Sequence, residues 1–135
     1  ALDRGSVMGS LRPIISIYLL VVGALVALQM VFDSFYLGSA DAIWSYLDWP
    51  ISLAMLLAMA ASTRRLTLAG AGDASTRLEF VGVAFVTVVW FDAWFRKLTG
   101  GAVSLSTWLF VDGLLVAAML GVGLRLRAGG QRSPE

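Results

Sequence analysis

Four aspartates interrupt apolar runs that otherwise carry almost no charge: Asp33, Asp48, Asp92 and Asp112. An acid within a membrane segment is costly, and it marks a proton relay, an ion pathway or a partner of opposite charge. Two such acids side by side share a proton, as in aspartyl enzymes, whereas an acid beside a base forms a structural ion pair. Arg96 stands one turn after Asp92 in the favourable acid-before-base order, so an i, i+4 pair is expected there. Lys97 can snorkel outward. Asp48 is followed by Trp49-Pro50 and reads as an acid at a helix start, where the backbone dipole favours negative charge. Asp33 suits either a charge cluster or a solvated position at the membrane surface, the setting expected of Asp41.

Asp112 is the sharpest of the set. It sits within Trp-Leu-Phe-Val-Asp-Gly-Leu-Leu-Val, residues 108–116, with no other charge of its helix in reach. Unpaired, it would be neutral or very costly, because exposure to lipid costs a charge on the order of 3 kcal/mol. We therefore expect Asp112 to face protein, paired with Arg96 or Lys97 or held protonated by a hydrogen-bond partner. Asp33, Asp92, Arg96 and Asp112 form the expected intramembrane charge cluster.

Other chemistries are excluded by composition. The 135 residues include no cysteine and no histidine, which removes disulfides, the usual zinc sites, histidine-ligated haem and copper, and Ser-His or Cys-His nucleophiles. No cofactor is expected to be held by ligands of this chain, although a lipid or the hydrophobic tail of a cofactor held elsewhere can lie against it. Gly70-Ala71-Gly72-Asp73 has the Gly-x-Gly-Asp form seen in intramembrane aspartyl enzymes, but it falls in a loop away from Asp92 and Asp112. Neither does this run carry the Gly-Lys-Ser/Thr ending of a phosphate loop, so it reads as a turn. The net charge of +1 gives no footing for nucleic acid. No catalytic residues and no metal ligands are assigned.

The elements that position the acids follow from hydropathy. A hydrophobic fraction of 59% against 14% charged residues cannot be hidden inside a soluble domain of this size. Four apolar runs, at about 11–32, 43–62, 78–95 and 104–124, are each long enough to span a bilayer and must be helical there. The expected fold class is an all-α integral membrane protein, a single four-helix transmembrane domain over 1–135. Ser10 is placed to cap the first helix with Pro13 in its first turn, Thr76-Arg77-Leu78-Glu79 to form a capping box for the third, and Ser104 or Ser106 to open the fourth. The first run is too long for a signal-peptide core and no A-x-A site follows it. Ala1 is the residue that removal of an initiator Met would expose. The Gly/Ser/Arg-rich ends, 1–9 and 128–135, are expected to be mobile.

Basic residues orient the helices. Arg4, Arg12, Arg64, Arg65, Arg77, Arg125, Arg127 and Arg132 fall on the termini and the middle loop, whereas the first loop has none and the third only Arg96 and Lys97. The positive-inside rule then places both termini in the cytoplasm. Twelve of the fifteen aromatics lie in the opposite, outer half, including Trp44, Trp49, Trp90, Trp94 and Trp108 with Phe35, Tyr36, Tyr46, Phe95 and Phe110. That is more than an interfacial belt needs, so Trp90, Trp94 and Trp108 are expected to contact a partner or a lipid-like molecule.

Phe32-Asp33-Ser34-Phe35 matches Phe91-Asp92-Ala93-Trp94, and Leu47-Asp48 with Ala54-Met55-Leu56 matches Val111-Asp112 with Ala118-Met119-Leu120. Two parallel-repeat helical hairpins would produce these pairs, related by an axis along the membrane normal. Gly113, Ala117 and Gly121 make a small-xxx-small stripe for helix packing, with shorter stripes at Gly23 and Ala27 and at Ala54 and Ala58. Ser16, Gln29, Ser52 and Thr87 suit interhelical hydrogen bonds.

Minimal loops and a one-sided aromatic surface point to a non-catalytic accessory or structural subunit of a larger membrane complex, with other membrane subunits and lipids as partners. The alternative is a small proton- or cation-coupled transporter or channel acting as a homo-oligomer. Small drug-efflux dimers have this size and span number but carry their essential acid in the first helix, where this chain has none at mid-depth. The arginine-rich, Ala/Gly/Val-rich composition fits a GC-rich bacterial genome and hence a bacterial cytoplasmic membrane.

Overall fold

A long apolar run in lipid satisfies its backbone only as a helix. The computed structural model has four: α1 (Arg4–Phe32), followed by a 3₁₀ turn at Asp33–Phe35, α2 (Ala40–Ala69), α3 (Ala74–Leu98) and α4 (Leu105–Gly130). It describes residues 4–35, 40–70 and 72–130; Ala1, Tyr36, Ala71 and Arg132 lie outside them. All four helices are long and apolar enough to cross a membrane. Each buries only 28–33% of its span within the chain, so the remaining surface needs lipid or another protein, and the chain reads as a multi-pass membrane protein.

The helices outrun the apolar spans, because nothing in the flanking polar turns breaks them. Arg4–Gly9 and Ala128–Gly130 are helical rather than loose, Ser10 lies inside α1 with Oγ donating to the Val7 carbonyl at 2.8 Å, and Pro13 lies well beyond the first turn. Glycines supply two of the stops. Gly70 has φ 71° after the last turn of α2, and Gly100 has φ 78° just beyond Thr99, where Gly101 N–H returns to the Arg96 carbonyl at 2.7 Å. Asp73, not Thr76, caps α3: it accepts from Ser75 N–H at 3.1 Å and from the Thr76 hydroxyl. The Thr76 contact, followed by the Ser75 bond and the nearby Arg65 charge, holds the Asp73 carboxyl below the usual carboxylate range. Ser104 does open α4, accepting from Thr107 N–H at 3.2 Å.

Glu79 is thereby released from the expected capping box. It reaches across to α2 and α4, taking Arg65 at 2.6 Å, Arg125 at 2.8 Å and the Ser62 hydroxyl at 3.1 Å. One carboxylate thus ties three helices together at the arginine-rich end.

The core runs along facing stripes of Leu19, Val22, Val26, Ile51, Met55, Ala58, Val83, Val86, Leu115, Met119 and Val122. The most extensive helix pairing is α1 with α4, and α2 with α3 comes next. Glycine allows the first of these: a Cβ at Gly123 would lie 2.9 Å from Leu20 Cγ, and one at Gly23 would lie 3.0 Å from Leu120 Cδ2. Ser16 Oγ crosses the same seam to the Gly123 carbonyl at 2.8 Å. Thr87 and Ser52 instead bond back to the carbonyls of Val83 and Asp48 in their own helices.

The Gly113, Ala117 and Gly121 stripe is exposed, and a Cβ at Gly113 or Gly121 would meet nothing within 4 Å. Packing inside this bundle therefore does not use it. Gly123→Leu should overpack the α1/α4 seam and cost about 1–3 kcal/mol in a micelle unfolding titration. Gly121→Leu, two residues away, should leave the stability of the isolated chain unchanged. Equal effects of the two would overturn this assignment of the seam.

Candidate functional site

Each helix extends its core stripe into the aromatic end, and there the stripe changes from apolar to polar. Along α2 it runs Met55, Ile51, Asp48, Trp44; along α3, Val86, Trp90, Trp94, Lys97; along α4, Leu115, Asp112, Trp108; Gln29 of α1 and Asp33 of the turn after it complete the set. Spacings of three and four residues keep each set on one helix face. The result is a cavity of about 180 Å³ lined by Asp33, Asp41, Asp48, Asp112, Lys97, Trp44, Trp90 and Trp108, with Met30, Leu105 and Leu109 completing the wall.

Its polar groups are fixed to different degrees. Asp48, 5% exposed, accepts from Lys97 Nζ at 2.7 Å. The same ammonium stands 5.9 Å from the centre of the Trp108 ring, within cation–π range. Asp33 Oδ1 accepts from Trp44 Nε1 at 3.2 Å and from Gln29 Nε2 at 3.5 Å. Trp90 Nε1 donates to Ser52 Oγ at 3.1 Å, and the Ser52 hydroxyl in turn donates to the Asp48 carbonyl at 2.7 Å. Asp112 is 6% exposed and lines the cavity, and its carboxylate makes no hydrogen bond or ion pair with any of the described residues. The cavity therefore holds four carboxylates and one ammonium between indole faces.

The expected cluster is regrouped. Asp33 and Asp112 come together, but Asp92 and Arg96 do not join them. These two pair with each other at 2.9 Å, both well exposed, on the opposite face of α3. Lys97 and Asp48 take their place. Lys97 turns inward rather than snorkelling, and Asp48 lies in the third turn of a helix that starts at Ala40, so it is no helix-start acid. The pairing expected of Asp112 with Arg96 or Lys97 is absent among the described residues, because Asp92 and Asp48 hold those bases.

The tryptophans are also redistributed. Trp90 is 1% exposed and Trp94 6%, stacked on each other with centroids 6.3 Å apart. Trp108 meets Trp90 edge-on at 6.2 Å, and Trp49 meets Trp94 at 5.2 Å. Trp90 and Trp94 are therefore core residues of this chain, and of the three expected contact tryptophans only Trp108 keeps an open face. Among the described residues, the aromatic surface left outward at this end belongs to Phe32, Phe35, Tyr46, Trp49, Phe95 and Phe110.

Among the described residues no three carboxylates come close enough to hold one metal ion. The dispersed acids and the indole walls suit a monovalent ammonium or guanidinium group. Lys97→Met should leave Asp48 buried beside Asp112 with no counter-charge. Breaking a buried pair costs 3–5 kcal/mol, and the half-open position of Lys97 reduces this to about 2 kcal/mol. Lys97→Arg should restore most of it. Wild-type stability for Lys97→Met in a micelle titration would show that Asp48 does not depend on the pair.

No protein-family model, curated protein or solved structure matches this chain.

Proposed function

We propose that the protein is a non-catalytic subunit of a larger membrane assembly, and that its acidic, tryptophan-walled cavity receives a cationic group of a partner membrane subunit. The observation that carries this reading is Asp112, nearly buried in a cavity with a surplus of negative charge and unpaired by any described residue. A buried carboxylate costs several kcal/mol unless a cation or a proton compensates it. An incoming ammonium or guanidinium would compensate it and stack on Trp108. Beneath the cavity, tightly packed Ile51, Met55, Leu115 and Met119 fill the bundle, which favours a binding end over a through-pathway.

The arginine asymmetry supports cytoplasmic termini and an outward-facing cavity, in the cytoplasmic membrane of a bacterium. Duplication of a helical hairpin is supported by the second pair of helices. Asp48 and Asp112 occupy matching, nearly buried positions, as do Met55 and Met119. The pairing of α1 with α4 and of α2 with α3 also interchanges under such an axis. The first pair has diverged, since Asp33 lines the cavity while Asp92 is exposed.

Gentle extraction followed by mass spectrometry of co-migrating chains tests the reading. A stoichiometric membrane companion is expected with the wild type and its loss with Asp112→Asn, while the variant itself remains folded. A second reading, a proton- or cation-coupled homo-oligomer, draws on the same unpaired Asp112. It predicts a homodimer that conducts in liposomes, and transport that fails in Asp112→Asn while assembly survives. Wild-type assembly and activity in both Asp112→Asn and Asp112→Leu would remove Asp112 from either role.

A further inference from the structure

The arginine end holds a second cavity, of about 380 Å³, which opens between α1, α2 and α4. Four guanidinium groups line it: Arg12, Arg64, Arg65 and Arg125. Their compensation is incomplete. The single carboxylate of Glu79 serves both Arg65 and Arg125, with Asp73 adding only a longer contact to Arg65 at 4.0 Å. Arg12 gives its Nε to the Leu126 carbonyl at 3.1 Å, and neither Arg12 nor Arg64 forms an ion pair with any of the described residues. Gly129 leaves room for Arg12, because a Cβ there would collide with the guanidinium.

The rest of the wall is apolar, with Ile15, Leu68 and Leu126 in it. Ordinary solvated arginines at helix ends would spread around the bundle, as Arg77 and Arg127 do outside this cavity. Here residues from three helices converge on one opening at the arginine-rich end of the bundle, with apolar surface beside them.

We propose that this cavity binds a phosphate group, carried by an anionic phospholipid whose acyl chain lies along Ile15 and Leu68. Guanidinium forks match phosphate oxygens in geometry and charge, and basic pockets between transmembrane helices at the cytoplasmic side are suited to anionic headgroups. The divided wall distinguishes the lipid from a free anion: a soluble phosphate uses the arginines and leaves the apolar part uncovered.

The test is thermal unfolding of the full chain in detergent micelles doped with phosphatidylglycerol, with phosphatidylcholine, or with inorganic phosphate at matched concentration. Phosphatidylglycerol should raise the midpoint by several degrees in a saturable way, and phosphatidylcholine should not. Arg12→Gln/Arg64→Gln should abolish most of the shift, and Arg77→Gln, outside the cavity, should keep it. Both cavity substitutions leave the Glu79 ties intact. The single Arg64→Gln, which removes an exposed side chain, should lose about half the shift even where the double variant folds poorly. Inorganic phosphate that matches phosphatidylglycerol would keep the phosphate site but reject the lipid as its source. Equal stabilisation by phosphatidylcholine, no stabilisation by either anion, or a full shift in the double variant would overturn the proposal.

Discussion

Trp90→Ala should be the most damaging single substitution in the aromatic half, lowering stability by about 3 kcal/mol in a micelle unfolding titration. Trp90 is 1% exposed and touches Trp94 and Trp108, so its removal empties the floor of the cavity and releases two neighbouring rings at once. The cost stays at the lower end of the large-to-small range, because helices separated in a micelle remain in an apolar medium and only packing is lost. Its hydrogen bond adds little, since Ser52 keeps its own acceptor in the Asp48 carbonyl. Trp90→Phe, which keeps most of the volume, should therefore cost only about 1 kcal/mol. Comparable losses in the two variants would show that the indole N–H, not the ring volume, holds this region.

Glu79→Gln is expected to rank next, with a loss of about 2–3 kcal/mol, at the other end of the bundle. Removing its charge leaves the Arg65 and Arg125 guanidinium groups facing one another with no carboxylate between them, and leaves only Asp73, 4.0 Å from Arg65, to compensate. Loss of one partner from a buried pair costs 3–5 kcal/mol, and the partial exposure of all three side chains lowers that figure here. The double variant Glu79→Gln/Arg125→Gln should regain part of the loss, because it removes the repulsion that the single variant creates. Strict additivity of the two single effects would show that the three charges do not act as a unit.

The helices and their number were legible because a bilayer admits few alternatives: twenty apolar residues have to be a helix. Their ends were less legible, since the apolar runs stop at the first charge while the backbone continues towards a glycine that takes positive φ, as at Gly70 and Gly100. The site was half legible. Asp112 stood out because its own helix offers no partner, and Asp33 because it ends an apolar run. Asp48 was obscured by Trp49-Pro50, which reads as a helix start although the helix begins at Ala40.

Lys97 was obscured by its neighbour Arg96. The usable signal was periodicity: Val83, Val86, Trp90 and Trp94 define the inward stripe of α3, and Lys97 continues it, whereas Asp92 and Arg96 fall on the far side. Small-residue spacing misled for a related reason. Gly113, Ala117 and Gly121 are spaced for close packing, yet the seam inside the chain is made by Gly23, from one of the shorter stripes, and by Gly123, which belongs to no such stripe.

The proposed role turns on whether the acidic cavity meets another protein in the native membrane, and a photo-crosslinker at Leu105 tests this most directly. Leu105 is exposed at the cavity, whereas Val88 is exposed on α3 away from the cavity. In intact membranes, a benzophenone side chain at residue 105 should give one discrete heterologous protein adduct, and the same group at residue 88 should give only lipid adducts. The adduct at 105 should disappear when Asp112→Asn removes the charge. No protein adduct at 105 above the level at 88, or an adduct indifferent to Asp112→Asn, would contradict the claim that this cavity docks a cationic partner.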